Sequence, residues 1–291
     1  MRKCLFLALI CCLLLTGGCG SKEQEPDDAI YSVEVITNEP QSADVEETTV
    51  PTVELTPTEE QSSEEQVETS EEETRFDDDG NYIPVGYAKL DVEELLQNPE
   101  LPTGCESVSL TALLKYYGFD WLEKTYIADN YLIYSKTGDC ADGFIGSPYS
   151  PKGSGCFANV MRQTADNFLY EQGKDSGLAA YDFSGAELWE LYQSLDYFDP
   201  VLIWGTIDMI EPAIDKSDLK VGDYTFYHYE HCLVLMGYNL EENVFYIMDP
   251  LIGIVERDID EFYDIYCKIG KYAVVIWPGD PVPSSENGFG L

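Results

Sequence analysis

A cysteine opening a helical pattern, a histidine opening a strand and an aspartate closing the next strand are the residues of this chain that could together perform nucleophilic chemistry. Cys105 lies in LPTGCESVSLTALLKYYGF, residues 101–119. Pro102 blocks helix on the upstream side, Thr103 and Glu106 have the spacing of a capping box, and Gly118 marks a stop. This arrangement predicts Cys105 at about the second helical position. There the free N–H groups and the positive end of the dipole favour thiolate over thiol, lowering the pKa from its free value of about 8.5. A buried structural cysteine is the alternative, because free cysteines are among the most buried residues.

The chain has two histidines, His228 and His231, and both precede or open the strand pattern HCLVLMGY. The next strand pattern, VFYIMDP, carries Asp249, and the polar run 239–243 between the two reads as a hairpin turn. A turn centred near residue 240 sets His231 directly opposite Asp249, close enough for the carboxylate to hold an imidazole nitrogen. A one-residue change in that centre would separate them. His228 is an odd number of residues from His231 and is predicted on the other face, at the surface. In this set His231 would take the thiol proton and return it to a leaving amine, while Asp249 would fix the ring's tautomer. Gln97, upstream of Cys105, could offer its amide N–H to an oxyanion beside the Cys105 backbone N–H, with a solvated loop residue as the alternative. Two histidines three apart on a strand face opposite ways and the cysteines show no CxxC spacing, so neither a metal site nor a cofactor is predicted. Cys232 is expected to be a plain buried thiol.

The elements that must position these residues form one α+β domain over 82–278. A short amphipathic piece, LDVEELLQN, leads into the 101–119 helix, and helices are predicted over 123–134, over 157–170, and from a Ser184–Glu187 cap to about residue 195. Between them, DGFIGSPYSPKGSGC is a long Gly/Pro/Ser-rich loop, a candidate rim of a cleft. Cys140 and Cys156 bracket it. A disulfide there would close about 15 residues, worth roughly 3 kcal/mol, although Cys232 and Cys267 offer other partners. After Pro200 the runs VLIWGTI, HCLVLMGY, VFYIMDP, GIVERD and YAVVIWP predict an antiparallel sheet. Helices first and sheet second give the α+β class.

Composition divides the rest of the chain. Residues 1–18 have a basic start, an apolar run and small residues before Cys19, the pattern of a secretion signal. LLLTGGCGS resembles a bacterial lipoprotein signal, which implies lipidation of Cys19 and anchoring to the outer face of the cell membrane; an ordinary secreted protein cut nearby is the alternative. Residues 19–81 hold roughly half of the net charge of −39 and almost no aromatic residues, so they are predicted to be a disordered tether. Residues 279–291 form a tail. With so few basic residues, nucleic acid is an unsuitable partner.

The stretch QNPELPTGCESVSLTALLKYYG, the loop FIGSPYSP, the strand VLIWGT and the pair HCLVLMGY and MDP together resemble the double-glycine (bacteriocin-leader) peptidase-like family of papain-like cysteine peptidases. The resemblance runs from about residue 90 to 277. It implies a papain-like fold, with the catalytic helix packed on a C-terminal antiparallel sheet. It also implies a peptide or protein substrate, and a catalytic set of Cys105, His231 and Asp249 with Gln97 at the oxyanion. A thiol-dependent acyl transferase, or a catalytically idle peptide-binding domain of the same fold, are the competing functions. Oligomeric state is not readable from the sequence.

Overall fold

The computed structural model describes residues 75–212, 219–221, 224–227 and 229–283. Cys19, the signal, nearly all of the tether, His228 and residues 284–291 lie outside the described residues. In chain order the elements are β1 (Tyr87–Lys89), α1 (Cys105–Tyr116), α2 (Tyr126–Asn130), α3 (Ala158–Glu171), β2 (Leu178–Asp182), α4 (Leu188–Asp196) and β3 (Val201–Thr206). They continue with β4 (Leu219–Val221), β5 (Tyr224–Phe226), β6 (Glu230–Asn239), β7 (Val244–Asp249), β8 (Gly253–Asp258), α5 (Ile259–Ile269) and β9 (Ala273–Pro278).

A seven-stranded antiparallel sheet in the order β2-β9-β3-β6-β7-β8, with β1 added beside β6, is the frame. Helix α1 packs on β6, and from Glu106 to Leu114 every one of its residues is buried. Leu110, Leu113 and Leu114 join the same core as Trp204, Val234 and Met248, while Val108 packs in a smaller cluster with Leu101 and Ala128. Fully burying each such side chain contributes about 1.5–3 kcal/mol, so the nucleophile's helix is anchored by its own body.

Several boundaries differ from the sequence pattern. The 123–134 helix shrinks to five residues, Tyr126–Asn130. The cap of α4 is Glu187, in a reciprocal capping box with Glu190, while Ser184 instead bonds the backbone of Ala273. The strands β1, β2, β4 and β5 and the helix α5 extend the predicted set. Strand β1 has three residues and β2 is LAAYD, too short and too poor in β-branched residues to stand out. Helix α5 did carry a signal: Asp258 caps it by accepting the Glu261 N–H at 3.0 Å, Gly270 ends it at φ 115°, and Ile259, Phe262, Tyr266 and Ile269 are buried along it.

Candidate active site

Cys105 is the first residue of α1, and Gly104 is its N-cap. The expected capping box does not form, because both of its members are engaged elsewhere. The Thr103 hydroxyl donates to the Ser150 carbonyl at 2.9 Å and the Thr103 N–H to the Pro148 carbonyl at 3.3 Å, which clamps the Gly/Pro/Ser-rich loop onto the turn that carries the nucleophile. A β-carbon on Gly104 would lie 2.8 Å from Leu101 Cβ and 3.2 Å from Pro148 Cβ, so this turn has room only for glycine. Glu106 points inward instead of back along the helix. Its Oε1 accepts the Cys156 N–H at 2.9 Å, and its Oε2 accepts the Cys105 thiol at 3.3 Å.

This arrangement reverses the expected ionisation of Cys105. Burial, followed by the charge of Glu106, holds the thiol well above its ordinary pKa, and the Cys232 N–H offsets only part of that. A helix N-terminus favours a thiolate, but here a carboxylate one residue away and the loss of solvent outweigh it. Among the described residues the thiol's hydrogen bond goes to Glu106, not to His231.

His231 and Asp249 are both buried, and His231 Nε2 lies 2.7 Å from Asp249 Oδ1. The same oxygen accepts the Leu251 N–H at 2.8 Å. Burial alone would raise the Asp249 pKa, but the hydrogen bond and charge of His231, with the Leu251 N–H and Arg257, outweigh it and hold the carboxyl below its ordinary value. Opposite an ionised carboxylate Nε2 carries the proton, which leaves the lone pair on Nδ1.

The two residues meet by a different register from the one predicted. Near the turn Asn239 faces Val244 and Tyr238 faces Phe245. Continued unbroken, that ladder would set Val234 against Asp249 and turn His231 to the opposite face. A β-bulge between Leu235 and Gly237 inserts one residue, so that Val234 faces Met248. The next position, Leu233, then falls opposite Asp249, and His231 is two residues further along on the same face. They are diagonal neighbours, a separation that long side chains bridge.

Gln97 is buried and lies between the two halves of the site. Its backbone N–H bonds the Pro250 carbonyl at 2.7 Å, and its amide Nε2 donates to the Pro102 carbonyl at 2.8 Å. One amide hydrogen is thus committed and one remains, while Oε1 is buried with no hydrogen-bond partner among the described residues. Cys140 and Cys156 are both buried and both free, so the predicted bridge is absent from this structure. The loop they bracket is closed by backbone: Ile145 N–H bonds Gly155 O and Ser154 N–H bonds Ile145 O, each at 2.9 Å. Its end is held by the Trp204 indole N–H on the Cys156 carbonyl at 3.2 Å. Cys232 is fully buried, and among the described residues no cluster of three or more His, Cys, Asp or Glu could hold a metal.

Glu106 and Glu230 are residues of the site that the sequence pattern does not mark as such: Glu106 has the spacing of a capping residue. The available signal was their adjacency, each standing next to one member of the Cys–His pair.

The model of the Peptidase_C39 like family matches residues 89–274. The Bacillus subtilis protein YvpB, itself uncharacterized, is 29% identical over 187 residues, covering 61% of this chain and 70% of its own. A crystal structure assigned as a C39-like peptidase from Bacillus anthracis is 26% identical with a TM-score of 0.55, covering 66% of this chain and 97% of that one. A double glycine motif protease from an AMS/PCAT transporter, crystallised with its leader peptide, is 19% identical with a TM-score of 0.39, covering 67% and 97%. The mixed helices and antiparallel sheet described above are those of a papain-like, C39-type peptidase fold.

Proposed function

The chain belongs to the Peptidase_C39 like family, and on that premise we propose that it is a cysteine peptidase that cleaves peptide bonds through Cys105, His231 and Asp249. The observation that carries this reading is the buried 2.7 Å pair of Asp249, at the end of β7, and His231 on β6, the strand against which the helix of Cys105 packs. In the proposed reaction the thiol leaves Glu106 and passes its proton to Nδ1 of His231. The sulfur then attacks the substrate carbonyl, forming a C–S bond as the carbonyl π electrons move to oxygen. The oxyanion is met by the backbone N–H of Cys105 and the uncommitted amide hydrogen of Gln97. Collapse breaks the C–N bond, and the amine leaves with the proton held by His231. Water, deprotonated by the same imidazole, hydrolyses the thioester and restores the thiol.

The test is a proteome-wide cleavage screen with the full chain and its Cys105→Ala variant. Peptide products that require Cys105 are the expected result, and identical product sets from the two proteins would overturn the assignment. Addition of an amine acceptor in the same assay separates hydrolysis from acyl transfer by the mass of the products. We propose further, from the LLLTGGCGS motif and the acidic run after it, that Cys19 is lipidated and anchors the peptidase outside the cell.

A further inference from the structure

Two buried carboxyl groups lie beside the nucleophile, and the scheme above uses one of them, Glu106, only as the acceptor from which the thiol departs. Glu106 is 3% exposed and both of its oxygens are occupied, Oε1 by the Cys156 N–H and Oε2 by the Cys105 thiol. Its orientation is therefore fixed from two sides, by the nucleophile and by the end of the rim loop. Glu230 begins β6 immediately before His231, and both of its carboxylate oxygens are shielded from solvent with no hydrogen-bond partner among the described residues. An ionised carboxylate in that position would be a buried, uncompensated charge.

The structure assigns a role to this pair. Resting on the reading of Cys105 as the nucleophile, we propose that Glu106, backed by Glu230, is the positioning residue of the site: it parks the Cys105 thiol on its own Oε2 and governs how readily the thiol is released to His231. No proton is lost in the exchange. The S–H···Oε2 bond breaks, the sulfur swings toward the imidazole, the S–H proton moves to Nδ1, and Glu106 keeps the charge it had.

The charges around the pair give this parking a pH dependence. The titratable groups facing Glu106 and Glu230 are Cys105 on α1, His231 and Cys232 on β6, and Cys140 and Cys156 at the ends of the loop. Burial, then the Glu106 charge, pushes Glu230 well above the carboxylate range. Burial pushes Glu106 up to about 7, against the pull of its N–H and thiol partners and of His231. Glu106 thus changes charge near neutrality. Ionised, Glu106 is the stronger acceptor and repels a thiolate; protonated, it loosens its hold. Each unit by which it raises the thiol pKa lowers the thiolate fraction about tenfold.

The experiment measures alkylation of Cys105 by iodoacetamide, read by peptide mass, from pH 5 to 9 in the full chain and in Glu106→Gln and Glu230→Gln. Wild type should depart from a single thiol titration, with an inflection near pH 7. Glu106→Gln should lose that inflection and react about tenfold faster or more at pH 8. Glu230→Gln should keep the inflection near pH 7, because the burial, the N–H and thiol partners and the His231 neighbour that set it are all retained. A folded Glu106→Gln protein with the wild-type profile overturns the proposal. If that variant does not fold, a Glu230→Gln profile that has lost the inflection assigns the titration to Glu230 and overturns it instead. Alkylation needs no turnover, so this outcome is independent of whether Cys105→Ala retains cleavage activity, which tests the peptidase reading alone.

Discussion

Asp249 stays ionised although it is buried, because His231 and the Leu251 N–H together return more than desolvation removes. Its proposed work is to hold the proton on Nε2 so that Nδ1 is free. Asp249→Asn keeps the shape and the Leu251 bond, but an amide can stabilise the wrong tautomer. The expected result is a folded protein with kcat lowered by roughly 10²–10⁴ and KM little changed. Steady-state kinetics on any substrate found in the cleavage screen decides it, and a kcat within twofold of wild type would remove Asp249 from the machinery.

The turn before α1 is an assembled element, and its precision comes from a loop far away in sequence. Thr103 reaches the carbonyls of Ser147 and Ser150, and Gly153 lies directly against that contact. A β-carbon there would collide with Thr103 Oγ1 and the Ser147 carbonyl. Gly153→Ala should therefore push the rim off the nucleophile's turn, at a cost of about 1–3 kcal/mol. The expected signature is a lower Tm together with a lower kcat. A variant with unchanged melting and kinetics would show that the loop does not brace Cys105. Gly237 plays a similar part at the bulge in β6, where an added β-carbon would strike the Ala88 backbone on β1. Glycine at that position lets the bulged strand carry a neighbour on each side.

Over the whole molecule Asp249 and Glu106 act at opposite ends of the pH range. Asp249 is depressed, so its contribution to stability is complete above the unfolded value of about 3.9 and is lost as the pH falls through its lower native value. Glu106 is raised to about 7 from 4.5, so its contribution is complete below the unfolded value and is lost as the pH rises toward 7. Stability measured by denaturant titration should fall between pH 5 and 8, the Glu106 share being on the order of 3 kcal/mol, and Glu106→Gln should reduce that slope. A wild-type curve already level across this window would contradict a buried, ionising Glu106. The proposed anchor is also a property of the whole chain. Cys19→Ala should release the protein into the medium or leave its signal uncut, and a variant still membrane-bound at wild-type size would argue against lipidation.

Local signals in the sequence determined much of the architecture and the identity of the candidate residues. A proline, a glycine and an apolar run placed Cys105 at the start of a buried helix, and alternating β-rich runs located β3, β6, β7, β8 and β9 to within a residue or so. These signals work because helix starts and strand faces depend on residues within four or five positions of one another. What the tertiary structure alone decided are the relations between distant segments. The bulge after Leu235 brings His231 and Asp249 to one face; a turn centred at 240 happened to give the same face because its register error was two residues, and an even slip preserves alternation. The thiol's ionisation reversed because burial and the inward turn of Glu106 outweigh the helix terminus, and neither is visible from a single segment. Gln97 spends one amide hydrogen on Pro102, and Glu230 meets Glu106 only after β6 packs on α1. Register, burial and the sharing of hydrogen bonds are set by contacts far apart along the chain, so they exist only once the sheet has closed around the helix.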